Sequence, residues 1–317
     1  QFRLFGIKID ISYRIKNCEE IIMDNKEKLI QLFENPGVEY RGKPFWSWNG
    51  ELEKDELIRQ VGVMKEMGFG GYFMHSRAGL ITEYLGEEWF ELINAVADAG
   101  TKMGMESWLY DEDRWPSGSA GGKVTVDKQY RMKQITMYCQ AKEDYLKADV
   151  LPGNSEDELI SIYAANIDGK NIYDYAEAKD EAELKEILKD SKFNKVLLFR
   201  IDLRKPSSVY NGTTYIDTMN REAVDKFVEL THEEYKKHCG DRIGTTIKGI
   251  FTDEPHRGYT LDNYRENNGI ATCSAAYTND LFEEFINRYG YDLKPLLPEL
   301  FYRKDGKSIH KVKINYS

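Results

Sequence analysis

"PFWSWNGELEKDELIRQVGVMKEMGFGGYFMHSR", residues 44–77, decides the fold class. Its first six residues read as a short aromatic strand. Leu57, Val61 and Met64 then recur at helical spacing, and Gly68 ends that helix. A second apolar run, 71–77, closes in polar residues. The same rhythm continues downstream. A helix is predicted from about Glu87 to Met103, with Phe90, Ile93 and Ala97 on one face, and "MESWLY", 105–110, reads as the third strand. Strands and helices that alternate through short links imply parallel βα units.

Two architectures use such units. An open doubly wound sheet carries a glycine-rich phosphate turn after its first strand, whereas here that strand runs into Trp48-Asn49-Gly50-Glu51. Each strand instead ends in bulky polar or aromatic side chains, which suits the C-terminal mouth of a barrel. The expected fold class is therefore α/β, a (β/α)8 TIM-type barrel. From about Tyr130 to Tyr210 the pattern changes to alternating runs such as "QITMYC", "LISIYAANIDG" and "KVLLFRIDL", read as a β-rich insertion after strand three. A helical pattern returns over 220–240, "IKGIFTDEP" at 247–255 supplies the fourth parallel strand, and "TNDLFEEFINRYG" reads as a further helix.

The domain expectation follows: residues 1–22 as a non-native leader, since they lack an initial Met and Met23 opens a plausible start; 23–128 as the first part of the barrel; 129–212 as the insertion; and 213–317 as barrel continued and cut short. A complete eight-fold barrel takes about 250 residues, and an insertion of this size takes it past the present length, so the chain is expected to be an N-terminal fragment with open sheet edges.

The composition narrows the partners. A formal charge of −10 over 317 residues argues against nucleic acid, which selects clustered lysine and arginine. No apolar run reaches the ~18–20 residues of a membrane span, and the N-terminal stretch lacks the unbroken apolar region of a secretory signal. The four cysteines, Cys18, Cys139, Cys239 and Cys273, form no CxxC pair. They read as reduced structural thiols of a cytoplasmic protein without a zinc site. Aromatic residues are plentiful, and all five tryptophans fall between residues 46 and 115. Their flat faces suit either a core or the CH-rich faces of sugars.

The stretch "YDEDRWPSGSAGG", 110–122, crowds acids, an arginine, a tryptophan and a proline at the end of strand three. Alternation puts Glu106, Trp108, Tyr110 and Glu112 on one face and Asp111 and Asp113 on the other. If the first face is inward, Glu112 approaches a ligand, Trp108 stacks on it, and Arg114 holds one of the acids. A solvated acidic turn would use the same residues. Asp111 and Asp113 could also hold a hard cation, in which case chelation would abolish activity, but the glycine of a calcium loop is absent. In "GIFTDEPH", 249–256, Glu254 would face inward and Asp253 outward, with Pro255 fixing the backbone beyond them. Glu254 could protonate a leaving glycosidic oxygen, helped by partial burial and acidic neighbours. The structural alternative has Asp253 capping a turn and Glu254 paired with Arg257. His75, Ser76 and Arg77 close strand two. No HExxH, P-loop or GxSxG occurs.

Three stretches, residues 42–80, "WLYDEDRWPSGSAGG" and "GIFTDEP", together resemble a bacterial group of (β/α)8 glycoside hydrolases related to the α-L-rhamnosidases of glycoside hydrolase family 106. The likeness extends over about residues 36–300. "TDEP" is also similar to the Asn-Glu-Pro signature that ends strand four in many retaining barrel glycosidases. That resemblance implies Glu254 as the acid/base, while Asp253 in place of Asn alters the usual sugar contact. In such enzymes the partner carboxyl lies on strand seven, beyond this chain, so Glu112 is the catalytic alternative within it. The expected function is hydrolysis of a bacterial or plant-derived oligosaccharide or glycoside, with carbohydrate as partner and neither cofactor nor metal. Trp46, Trp48, Asn49, His75, Arg77, Trp108, Tyr110, Asp111, Asp113, Arg114, Trp115, Asp253 and His256 would line the sugar site. The alternatives are a non-catalytic carbohydrate-binding protein and an inactive glycosidase fragment.

Overall fold

The structure, a computed structural model, describes residues 3–4, 7–8, 25–258, 261 and 263–317. The expected leader, 1–22, lies outside the described residues apart from a two-residue antiparallel pair, Arg3–Leu4 with Ile7–Lys8. The chain forms two compact units. One holds the described residues up to Asp113 together with Glu234–Phe251, and the other holds Arg114–Glu233 and Thr252–Ser317.

The first unit is built on four parallel strands, β1 (Phe45–Gly50), β2 (Gly71–Leu80), β3 (Glu106–Tyr110) and β8 (Ile247–Phe251). They lie side by side in chain order, so each new strand adds to the same edge. This is the arrangement expected of consecutive βα units; with four strands it is an open parallel sheet, not a closed barrel. Helix α1 (Lys54–Glu66) buries Leu57, Val61 and Met64, as their spacing predicts. Helix α2 (Glu87–Lys102) is apolar over a wider arc and buries Trp89, Phe90, Ile93, Val96 and Ala97 among others.

Both helices share one core with the sheet residues Trp48, Tyr72, Met74 and Leu109. Trp89 is fully buried there. Its ring lies edge-on to Trp48 at 5.2 Å and to Tyr84 at 5.1 Å, and its indole N–H donates to the Tyr235 hydroxyl at 3.1 Å. Gly100 lets α2 approach the sheet, because a Cβ at that position would collide with the Tyr72 hydroxyl. That hydroxyl donates to Val96 O and accepts from Ser107 Oγ, so it has nowhere to go. Gly100→Ala should therefore destabilise the protein by about 1–3 kcal/mol, overpacking outweighing the roughly 1 kcal/mol gained in helix propensity. A thermal melt checks this: a melting temperature equal to or above the parent's would show that the contact yields.

The second unit centres on a seven-stranded mixed sheet. Its strands are β4 (Lys133–Ala141), β5 (Glu158–Asp168), β6 (Asn171–Ala178), β7 (Lys195–Leu203), β9 (Arg265–Asn267), β10 (Ile270–Tyr277) and β11 (Arg303–Lys304), in the spatial order β9-β10-β4-β7-β5-β6-β11. Four of these lie within 129–212, and the three runs named from the sequence fall in β4, β5 and β7. Within 213–317, among the described residues, only 247–251 extend the parallel sheet. Beyond them β10 pairs with β4 over its whole length, from Ile270↔Gln140 to Tyr277↔Lys133. The helix expected at 278–290 forms as Leu281–Tyr289 but packs on this sheet. Phe285, Leu293, Leu297, Leu300 and Val312 share a core with Ile135, Met137, Phe199 and Cys273. The opposite sheet face is covered in part by Tyr145, Leu184 and Leu188, from the helices Lys142–Ala148 and Glu181–Ile187 and the turn beyond.

The helix expected over 220–240 forms as Arg221–Val228 and Glu234–Cys239, separated by a π-helical turn at Glu229–Glu233. Cys139, Cys239 and Cys273 are buried and form no disulfide among the described residues, while Cys18 lies outside the described residues. Among the described residues no helix is long and apolar enough to cross a membrane.

Candidate functional site

In the first unit the strand alternation sorts the expected site residues onto two faces. Phe45, Phe73, His75, Trp108, Tyr110 and Phe251 gather on the face away from the helices, with His75 stacked on Tyr110 at 3.5 Å and Phe73 tilted against Trp108 at 5.6 Å. The Trp108 ring lies across Gly249 of the neighbouring strand, where any Cβ would strike it, and its N–H donates to Glu106 at 3.1 Å. Trp46 and Trp48 fall on the opposite, helix-covered face. Trp48 is 1% exposed against Trp89, and the Trp46 indole donates to Gln60 of α1 at 2.8 Å. They occupy the core rather than the face that carries His75, Trp108 and Tyr110. Asn49 and Arg77 are exposed at the ends of β1 and β2.

Asp111, Glu112 and Asp113 are all buried, at 0%, 2% and 3% exposure, so they do not form a solvated turn. The Ser76 hydroxyl donates to Asp113, the Asp113 N–H donates to Glu112 Oε1 at 2.9 Å, and the Asp111 N–H donates to Phe251 O at 3.2 Å. These bonds tie the loop after β3 to the ends of β2 and β8. Burial pushes the Tyr84 hydroxyl far above its ordinary pKa, and the charges of Tyr235 and of Glu112, Asp111 and Asp113 add to this. Among the described residues no group of three or more His, Cys, Asp and Glu side chains could hold a metal ion.

In the second unit Arg114, Trp115, Asp253, Glu254 and His256 come together. The Arg114 guanidinium donates to Ser208 O at 2.6 Å. Trp115, 49% exposed, donates its indole N–H to Glu254 Oε2 at 3.2 Å. The backbones beneath are stitched twice through Ser117, whose N–H donates to Asp253 O and whose hydroxyl accepts the Asp253 N–H, each at 2.9 Å. Tyr215 supports that stitch: its hydroxyl donates to Ser117 O at 2.7 Å, and its ring stacks on His256 at 4.5 Å. Arg257 turns to Ser317 O, so the expected structural pairing with Glu254 is not the one seen.

Glu254 itself is exposed rather than partly buried, and its φ is +40°. That left-handed region is costly for a residue with a Cβ, and a following proline, here Pro255, restricts it further. Such strain persists only where the surroundings impose it. Here the Ser117 stitch and the Trp115 indole do so.

The local charge also acts on His256, where burial, and then the nearby Arg204, disfavour the imidazolium and lower its pKa below the ordinary 6.5. With the folded value depressed, the unfolded chain binds the proton first. The stability that neutral His256 contributes is present above about pH 6.5 and is lost as pH falls through its folded pKa. A proton NMR titration of the imidazole should give a midpoint below that of a histidine in an unstructured peptide; a midpoint at or above it would refute the burial effect.

Sequence reasoning missed the supports Ser117 and Tyr215. The "PSG" run marked a turn, but nothing local pointed to a tyrosine a hundred residues downstream.

No family model matches the sequence, and no curated protein matches it. Among solved structures the chain is similar to a rhamnosidase from Novosphingobium sp. PP1Y, with a TM-score of 0.49 and 14% identity over 86% of this chain. The aligned part spans 42% of that rhamnosidase's length.

Proposed function

We propose that the chain carries the acid side of a glycoside hydrolase site, with Glu254 protonating the departing glycosidic oxygen. The observation that carries this reading is the state of Glu254. It is exposed, held in a strained backbone conformation, and has one carboxylate oxygen on the Trp115 indole. Fixing Oε2 in this way leaves Oε1 as the atom to present a proton, and the exposed Trp115 ring offers a platform for a sugar face. The sequence resemblance to barrel glycosidases supports the same role, and the four parallel strands would be the opening half of such a barrel. The substrate class is an oligosaccharide or glycoside.

Hydrolysis needs a second carboxyl. Glu112 is the candidate within the chain, but at 2% exposure, with Oε1 already accepting a backbone N–H, it is better suited to bracing its loop. This burial favours a second reading, in which Trp115 and its neighbours bind carbohydrate without cleaving it. Incubating the protein with a panel of aryl glycosides, alongside a tryptophan-fluorescence titration of the parent and a Trp115→Ala variant, separates the two. Release of the phenol supports the hydrolase. Saturable binding that needs Trp115, without release, supports the binding protein, and neither signal would dispose of both.

A further inference from the structure

We infer that the second unit has a separate groove, on the open half of its sheet, that binds a short oligosaccharide carrying a single acidic sugar. The groove encloses about 1140 Å3 and is lined entirely by residues of that unit. It exists because the two faces of the sheet are covered unequally. The face bearing Ile135, Met137, Cys139 and Phe199 is sealed by the C-terminal helices, whereas the helices on the other face cover only its β5–β6 side.

The strand register defines the floor. Three rows cross β7, β4 and β10: Asp202, Gln134 and Ala276; Arg200, Thr136 and Ser274; and Leu198, Tyr138 and Thr272. Of these, Gln134, Thr136, Thr272 and Ser274 line the groove with short hydroxyl and amide side chains. The Thr136 hydroxyl donates to Asp202 Oδ2 at 2.7 Å and lies 3.0 Å from Ser274 Oγ. Asp202, which lines this floor, has its Oδ1 buried without a hydrogen-bond partner among the described residues. A group left in that state costs about 1–3 kcal/mol, and a ligand hydroxyl can donate to it. Burial also raises the Asp202 pKa, which agrees with a carboxyl that lacks full solvation.

Charge is unevenly distributed around this floor. At the end where Lys133 lies opposite Leu203, the lining is basic: Lys128, Arg131, Lys133, Arg204 and Lys205. Along one side, the wall is acidic: Glu156, Asp157 and Glu158 enter β5, and Arg200 anchors the loop through Asp157 O at 2.8 Å. A polyanion such as nucleic acid would run against that acidic wall. A sugar chain with one carboxylate can place it against the basic end and lay neutral rings over the hydroxyl floor.

Calorimetric titration of the intact chain tests this with three probes: a trisaccharide ending in glucuronic acid, the same trisaccharide ending in glucose, and a single-stranded oligonucleotide. The acidic trisaccharide should bind at least about tenfold more tightly than the neutral one, and raised salt should narrow the gap. Replacing the exposed lysines together, Lys128→Glu with Lys205→Glu, should remove that preference, whereas Trp115→Ala should leave it, which keeps the groove distinct from the Glu254 site. Equal binding of the two trisaccharides, no binding of either, or tighter binding of the oligonucleotide would overturn the inference.

Discussion

Glu254→Gln is expected to lower turnover of glycosides with poor leaving groups by about 10²–10⁴-fold while the protein keeps its fold. The glutamine amide oxygen can still accept the Trp115 N–H that now reaches Oε2 at 3.2 Å, so the side chain should stay where it is. What is lost is the proton. This loss should depend on the substrate: a nitrophenolate leaves without help, whereas a sugar or alkyl alkoxide does not, so the defect should grow with the leaving group's basicity. A defect of equal size across leaving groups would mean that Glu254 positions substrate without donating a proton. Unchanged turnover would remove it from the chemistry altogether. Circular dichroism and a thermal melt of the variant separate both outcomes from misfolding.

Trp89→Ala should be the most destabilising single change in the first unit, costing about 3–5 kcal/mol. The indole is fully buried between Trp48 and Tyr84, and its removal leaves a cavity ringed by aromatic side chains that have no shorter rotamer with which to fill it. It also removes the donor to the Tyr235 hydroxyl, which burial already holds far from its ionised form. Urea denaturation measures the effect. Trp89→Phe should recover part of it, restoring ring contact but not the N–H. A loss below about 1 kcal/mol for the alanine variant would mean that the site collapses around the gap.

The parallel units were legible because their information is local. Leu57, Val61 and Met64 mark one helix face, and the apolar runs at 71–77 and 105–110 mark the strands between helices. Which strand face the helices would cover was not local. In "PFWSWN" both faces are aromatic, Phe45 on one and Trp46 with Trp48 on the other, and period-two alternation alone does not say which pair goes to the core. The tryptophans went under the helices, and Trp115, outside any strand, is the one that stands beside Glu254.

The fate of the last third was hidden for a related reason. "IATCSAAY" is small and only weakly alternating, so its eight-residue pairing with β4 rests on a partner more than a hundred positions earlier. Likewise "TNDLFEEFINRYG" has the stripe of any surface helix, and that stripe does not name the sheet it will cover. Glu254 was singled out by its motif. Its strain was not, because a left-handed residue before a proline is what local rules advise against.

The route of the chain through the two units also bears on how the protein is made. The chain leaves the parallel sheet at Tyr110 and returns only at Ile247, while the mixed sheet, begun at Lys133, waits for Ile270–Tyr277 to complete its edge. A ribosome therefore delivers neither unit complete until Phe251 has emerged, and the second only later. During synthesis the free edges of β3 and β4 are exposed, and their loop-closure entropy is repaid late. No contiguous stretch of the gene encodes either unit alone. A cut at Asp113 strands three parallel strands without their fourth, and a cut at Glu233 removes β9, β10 and β11 from the other sheet. Domain shuffling would therefore move the two units only as a pair.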